Sequence, residues 1–185
     1  MIDETTNVHG SIFFLLKKYV NSNFAEGTWD NLIKLSGASG DYEMTQSYPL
    51  QEIGLIVAAA SQLTGISPQE IQERFGEFLV PDLFKLYADY LRPEWKTFDV
   101  LLHTEGVMHG AVRKLNSIAN PPVLNVSKVN ENLLIIDYYS KRRMGALATG
   151  IIKGIAKYFN ESEIINIKPM SDPDAERVQI RVEFL

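Results

Sequence analysis

The stretch LLIIDYYSKRRMG, residues 133–145, joins an apolar run to two tyrosines, a serine and three consecutive cations. Four apolar residues in succession predict a buried strand, and the polar donors that follow need a partner. Tyr138, Ser140 and Arg142 alternate along the chain, so an extended segment would place their three side chains on one face. A phenol, a hydroxyl and a guanidinium together suit carboxylates, which arginine can bind through two N–H groups. The alternative is a strand end whose cations are simply solvated, as we expect for Lys141 and Arg143.

The region around this stretch has the period of a β-sheet. Four strands are predicted, at residues 123–129, 133–139, 164–170 and 177–185. Residues 144–159 lie between the second and third strands and predict a helix whose many small residues allow close packing. This half of the chain therefore has the order ββαββ.

The first half of the chain is helical in pattern. Helices are predicted at residues 10–24, 28–36, 50–64, from Pro68 after the capping Ser67, from 81 to 91, and from Pro93 to about Asn116. Pro121 and Pro122 end the last of them. The fold class is therefore α+β: an N-terminal helical lobe precedes a ββαββ lobe with an antiparallel sheet. We expect one domain over residues 1–185, with a helical part at about 1–60 and an α+β part at about 61–185.

Composition excludes several classes of protein. The sequence holds no cysteine, so thiolate metal sites and cysteine nucleophiles are excluded. Its net charge of −5 argues against nucleic acid as a partner. The polar, acidic start is unlike a signal peptide, and no apolar run has the length of a membrane span. We expect a cytoplasmic protein that binds neither nucleic acid nor a membrane.

One histidine on the predicted long helix has an unusual position. At about 100° per residue, an apolar stripe forms on that helix, and its members are Phe98, Leu101, Leu102, Met108, Val112 and Leu115. His109 falls at the edge of this stripe, whereas His103 lies on the opposite side. A histidine against an apolar wall is either a core residue with both nitrogens satisfied or an axial ligand of a haem iron. Helix geometry alone does not choose between them.

Four landmarks together give the sequence a resemblance to a known family. They are HGSI at residues 9–12, VMHGAVRKL at 107–115, NPP at 120–122 and the Tyr-x-Ser-x-Arg pattern that begins at Tyr138. In this order and spacing the chain resembles the H-NOX family, the haem–nitric oxide/oxygen binding domains related to the haem domain of soluble guanylate cyclase. The resemblance runs from about Val8 to Leu185.

The resemblance implies haem b as the cofactor, buried between the two lobes. It implies that His109 is the proximal ligand of the iron, and that Tyr138, Ser140 and Arg142 hold the haem propionates. These roles would give the donors at the end of the predicted strand their partner.

Further roles follow from the same resemblance. Pro122 and Ile12 match residues that press on the porphyrin and bend it. The sequence departs from the family by about seven extra residues at its start and by lacking the cysteines with which some members bind zinc. Glu105 lies one turn before His109, and we expect it to reach solvent rather than to act on the imidazole.

The residues expected on the distal side of the haem indicate which gas binds. Oxygen-binding members place a tyrosine, a tryptophan and an asparagine there, and the matching positions of this chain are Leu147, Leu16 and Leu79. Bound dioxygen needs a donor, whereas NO and CO need far less polar help. The chain is therefore predicted to sense NO, to bind CO and to discriminate against oxygen. Three other tyrosines offer alternative routes to the ligand, namely Tyr19, Tyr87 and Tyr90.

The resemblance also implies how binding becomes a signal. NO weakens the bond trans to it, so His109 leaves the iron, the porphyrin relaxes against Ile12 and Pro122, and one lobe rotates against the other. A separate bacterial effector, a histidine kinase or a cyclic-dinucleotide enzyme, would read that movement.

Two other functions compete with this one. The first is a haem-free module of the same fold that binds a small apolar molecule. The second is a hydrolase that uses His109 or His103 with Glu105 or Asp99, but near neighbours on one helix do not converge as a triad must. We therefore expect that the chain is not an enzyme.

Overall fold

A computed structural model describes residues 7–115 and 120–185 of the chain. Its helices are α1 Gly10–Asn23, α2 Thr28–Ser36, α3 Leu50–Thr64, α4 Pro68–Leu86, α5 Thr97–His103, α6 Gly110–Leu115 and α7 Gly145–Tyr158. Its strands are β1 Asn7–His9, β2 Ser47–Pro49, β3 Val123–Asn130, β4 Leu133–Tyr139, β5 Ile165–Pro169 and β6 Arg177–Phe184. Two 3₁₀ turns, Ala88–Tyr90 and Ser162–Ile164, and a π-helical segment, Thr104–His109, complete the regular structure that is described.

The α+β class and the ββαββ order are confirmed. Strands β3 to β6 form one antiparallel sheet in the order β3-β4-β6-β5, so β3 lies at an edge. The alternation along β6 puts Val178, Ile180 and Val182 on the buried face, where none of them is accessible to solvent.

Helices α2 and α4 have the capping residues that the sequence predicts. Helix α2 is followed by Gly37, whose φ of 69° suits a residue without a Cβ. Helix α4 is capped by Ser67, whose hydroxyl accepts the amide N–H of Glu70 at 3.2 Å. The antiparallel pair of β1 and β2 was not predicted, because three residues a strand are too few to show a period.

Two helix boundaries differ from the prediction. Pro81 was expected to open a new helix, but it lies inside α4, at an exposed position. Helix α4 continues past it because buried Val80 and Phe84 hold the turns on either side in the core. The helix expected from Pro93 begins only at Thr97, where Asp99 caps the backbone N–H of Lys96 at 3.1 Å. The predicted end near Asn116 lies outside the described residues.

Helices α4 and α7 pack closely against each other, as the small residues of α7 predicted. A Cβ at Gly76 would lie 2.5 Å from the carbonyl oxygen of Leu147, and one at Gly154 would lie 2.7 Å from a methyl group of Val80. A Cβ at Gly150 would overlap the backbone of α4. Only glycine lets the two backbones approach to this distance.

The buried apolar residues form two clusters. The first lies among α1 to α4 and includes Leu147 of α7 and Met144, the residue just before α7. The second lies between the sheet, α5, α7 and the C-terminal half of α4. Helices α4 and α7 thus contribute to both clusters. Among the described residues, no helix has both the length and the apolar character that crossing a membrane requires.

Candidate functional site

His109 lies at the end of the π-helical segment between α5 and α6. A π-helical turn holds more residues than an α-helical turn, and such turns recur at functional sites. The rotation of 100° per residue assumed for one straight α-helix therefore does not hold through residues 104–109. His109 nevertheless lies in a largely buried position, with 16% of its side chain exposed, and His103 is exposed and stacks on Trp95.

Glu105 contacts the imidazole of His109, contrary to the expectation that it reaches solvent. Its Oε2 lies 3.0 Å from Nδ1 of His109 and accepts the backbone N–H of Leu124 at 2.9 Å. Its Oε1 accepts a guanidinium N–H of Arg113 at 2.7 Å. Burial acts to raise the pKa of Glu105, but the donors from Leu124, His109 and Arg113 outweigh it and hold the pKa below its usual value. The group therefore stays a carboxylate at neutral pH.

The surroundings of His109 favour the neutral imidazole. Burial lowers its pKa, although hydrogen bonding to Glu105 and to the backbone of Pro122 acts in the opposite direction. An ionised carboxylate can only accept, so Nδ1 carries the proton and Nε2 is the nitrogen available to a metal.

The sequence prediction placed Tyr138, Ser140 and Arg142 along one extended segment. In the structure, a turn brings them together instead. Strand β4 ends at Tyr139, and Ser140 accepts the backbone N–H of Arg142 on its hydroxyl at 3.1 Å. Arg143 then takes a φ of 53°, which closes the turn before α7. Local hydrogen bonding by a serine hydroxyl competes with continued strand geometry, which explains the difference.

Arg142 is the half-buried cation of this turn. Its Nε–H donates to the carbonyl oxygen of Asn7 at 2.9 Å, and Nη1 donates to the carbonyl oxygen of Asn120 at 2.6 Å. A guanidinium has five N–H donors, so three remain for another acceptor such as a carboxylate. Lys141 and Arg143 are exposed, as predicted, and Arg143 pairs with Glu176 at the surface.

Tyr138 is buried, with 3% of its surface exposed. Its hydroxyl oxygen accepts the backbone N–H of Met144 at 3.3 Å, and burial raises the pKa of the phenol. The phenol therefore stays a neutral donor that can hydrogen-bond an anion without adding charge.

The three leucines expected on the distal side are brought together. Leu16 on α1, Leu79 on α4 and Leu147 on α7 all belong to the first apolar cluster, and Ile12 packs against it. Tyr19 also packs against this cluster, where it contacts the rings of Phe24, Phe75 and Phe78.

Comparison with known proteins identifies the fold and the family. The family model described as haem-NO-binding matches residues 9–168. The chain belongs to this family. The resemblance to H-NOX proteins is thus confirmed, and haem is the cofactor that the family binds. Among curated proteins, no significant match to the chain is found.

Solved H-NOX structures share the fold of the chain. An H-NOX protein from S. oneidensis in the Fe(II)NO ligation state is 23% identical with a TM-score of 0.84, over 96% of this chain and 99% of that chain. Unliganded Fe(II) H-NOX from K. algicida is 21% identical with a TM-score of 0.84, over 96% and 97% of the two chains. The H-NOX domain of Shewanella oneidensis in the Fe(II)CO state is 23% identical with a TM-score of 0.80, over 96% and 99%. At these identities, the likeness concerns the fold.

The donors of the site fit a haem. An iron needs a neutral imidazole nitrogen, which His109 can supply, and two propionates need donors, which the turn around Arg142 can supply. The sequence prediction missed the backbone partners of Arg142 and the role of Glu105. Only the spacing of four residues between Glu105 and His109 signalled the latter.

Proposed function

We propose that this chain is a haem-based sensor of nitric oxide in which His109 is the iron ligand. The carrying observation is the hydrogen bond between Nδ1 of His109 and Glu105, because it leaves Nε2 for a metal in a member of a haem-binding family. Haem would supply the ferrous iron at which NO and CO bind. The protein would supply the fifth ligand, the grip on the propionates and the shape of the pocket.

The turn after β4 would hold the propionates. Arg142 has three N–H donors beyond those that bind Asn7 and Asn120, which is enough to bind a carboxylate through two of them. Tyr138 and Ser140 would add neutral hydroxyl donors. Pro122 and Ile12 would contact the porphyrin from the diproline segment and from α1.

The distal pocket would favour NO and CO over oxygen. Leu16, Leu79 and Leu147 are buried in one apolar cluster, and aliphatic side chains offer no hydrogen bond to bound dioxygen. NO and CO do not depend on such a donor, so the same wall would leave their binding largely intact.

The signal would start at His109. We expect NO to release His109 from the iron, which would free the segment from α5 to α6 to move relative to the pocket. The helical lobe, about residues 1–60, would then rotate against the α+β lobe, about residues 61–185, as two states with different contacts at the haem. CO would leave His109 in place and cause a smaller change. Crystal structures or solution scattering of the ferrous and NO-bound forms would test this, and identical lobe orientations would contradict it.

The movement would be read by a separate protein. By family analogy alone, the effector is a histidine kinase or a cyclic-dinucleotide enzyme, and this sensor would itself carry out no catalysis in the cytoplasm. If such an effector reads the movement, its catalytic rate should differ between the ferrous and the NO-bound sensor. An equal rate in both states would argue against that effector.

Absorption spectra of the purified, reduced protein would test the function as a whole. We expect a Soret band, spectral changes with NO and CO, and no stable oxygen complex in air. Absence of a Soret band after haem reconstitution would contradict the proposal.

A further inference from the structure

Glu105 has more partners than a surface carboxylate on a helix needs. It accepts from Leu124 and Arg113 and lies 3.0 Å from Nδ1 of His109, so both of its oxygens are engaged. One of these partners, Arg113, lies eight residues further along the same helical segment and is exposed. The other two connect a candidate iron ligand to the sheet.

The contact with Leu124 has a structural reason. Strand β3 is at the edge of the sheet, and the N–H groups of an edge strand alternate between the neighbouring strand and the open side. The N–H of Leu124 is directed to Glu105, which occupies the open side. Leu124 is also paired in register with Tyr138 on β4. A short chain of contacts therefore leads from His109 through Glu105 and Leu124 to Tyr138.

We propose that Glu105 is a positioning residue that sets the strength of the bond between His109 and iron and connects His109 to β3. This rests on the proposed function, because it assumes that His109 is the iron ligand. A carboxylate that accepts the far N–H of a metal-bound imidazole fixes its tautomer and orientation and makes it a stronger donor. Glu105 would therefore oppose the release of His109 and set how readily NO causes it.

Arg113 would act in the opposite direction. It donates to the other oxygen of Glu105 and draws negative charge away from the oxygen that faces His109. Without Arg113, the carboxylate would be a stronger acceptor for the imidazole N–H. Glu105 and Arg113 should thus have effects of opposite sign on the same bond.

Resonance Raman spectra of the ferrous, ligand-free holoprotein would test this through the iron–histidine stretching frequency. Glu105→Gln should lower the frequency and Arg113→Gln should raise it. Glu94→Gln is the matched control, since Glu94 is an exposed carboxylate ahead of α5, and it should leave the frequency unchanged. On addition of NO, the ratio of protein that keeps His109 on iron to protein that has released it should fall about ten-fold in Glu105→Gln.

The outcomes separate this inference from the function on which it rests. A Glu105→Gln protein that holds haem with the wild-type frequency would overturn the inference and leave the haem assignment standing. If Glu105→Gln does not fold, Arg113→Gln decides alone, and a lowered or unchanged frequency in that variant would overturn the inference. A wild-type protein that takes up no haem would overturn the proposed function, and the inference with it.

Discussion

Arg142 donates its Nε–H to the carbonyl oxygen of Asn7 at 2.9 Å, although 135 residues separate the two in the sequence. Asn7 opens β1, so this contact joins the end of β4 to the start of the helical lobe. The same guanidinium donates to Asn120, just before the diproline segment. Arg142 thus lies where three parts of the chain meet.

The position of Arg142 predicts its effect on haem retention. Arg142→Ala should weaken haem binding by about 2–5 kcal/mol, because it removes one partner of a half-buried, charge-assisted contact. Arg142→Lys should recover only part of the loss, since an ammonium cannot bind a carboxylate through two parallel N–H groups. The rate of haem transfer to an excess of apomyoglobin measures both.

Arg143 and Lys141 provide the controls for that measurement. Arg143 pairs with Glu176 at 3.1 Å, with more than half of each side chain exposed, and surface pairs of this kind contribute about 0–1 kcal/mol. Arg143→Gln and Lys141→Ala should therefore retain haem nearly as well as the wild type. Equal loss in all of these variants would reduce the role of Arg142 to general charge attraction.

His109→Gly should yield protein that holds little haem, and added imidazole should restore it. The glycine removes the ligand but leaves a space of the right shape beside Glu105. His103→Ala should leave the absorption spectrum unchanged, because His103 is exposed and stacks on Trp95 with ring centroids 4.9 Å apart. If the spectrum instead depended on His103, the assignment of the iron ligand would be wrong.

The sheet had a local signal in the sequence, because alternation identifies β6. The role of His109 was predicted from the resemblance to H-NOX proteins, since helix geometry alone did not decide it. For Glu105 the sequence offered only its spacing of four residues from His109, because its contact with Leu124 spans 19 residues and depends on how β3 docks against the helix. The turn at Ser140 was missed because the spacing of Tyr138, Ser140 and Arg142 is compatible both with an extended strand and with a turn that brings the same side chains together. Pro81 was misjudged because burial on either side of it outweighs one lost backbone hydrogen bond.

Two glycine-to-alanine substitutions should change the free energy of unfolding in opposite directions, because one glycine lies where α4 and α7 approach closely and the other is exposed on α3. Gly150→Ala should lower the free energy of unfolding by about 1–3 kcal/mol, because the new Cβ would overlap the carbonyl of Glu73 and force the helices apart. Gly54→Ala should raise it by about 0.5–1 kcal/mol, since Gly54 is exposed on α3 with nothing within 4 Å of a Cβ. Urea unfolding of the two variants tests this, and a Gly150→Ala protein as stable as the wild type would contradict the packing.

Tyr42 predicts a loss of stability at alkaline pH. Burial and a hydrogen bond to Glu52 raise the pKa of Tyr42 to about 12, whereas an unfolded tyrosine has a pKa of about 10. The neutral phenol is thus favoured in the folded state, so its contribution to stability is complete below pH of about 10 and is lost as the pH rises toward about 12. Tyr42→Phe should make the alkaline fall in the unfolding free energy less steep. Tyr158→Phe, at the exposed end of α7, is the control, and an unaltered slope in Tyr42→Phe would contradict the assignment.

Leu147 allows the distal pocket to be tested with a matched pair of variants. The wild-type ferrous protein should oxidise slowly in air without forming a stable oxygen complex, because Leu147 and its neighbours Leu16 and Leu79 offer no donor. Leu147→Tyr should introduce some oxygen affinity through its hydroxyl, at a cost of about 1–3 kcal/mol in stability from overpacking a side chain that is 9% exposed. Leu147→Phe adds the same ring without the hydroxyl, so it should share the loss of stability and gain no oxygen affinity. Oxygen binding by both variants would mean that the ring, and not the hydrogen bond, alters the pocket. A stable oxygen complex of the wild type would show that another donor reaches the ligand, such as Tyr19, which packs against this cluster.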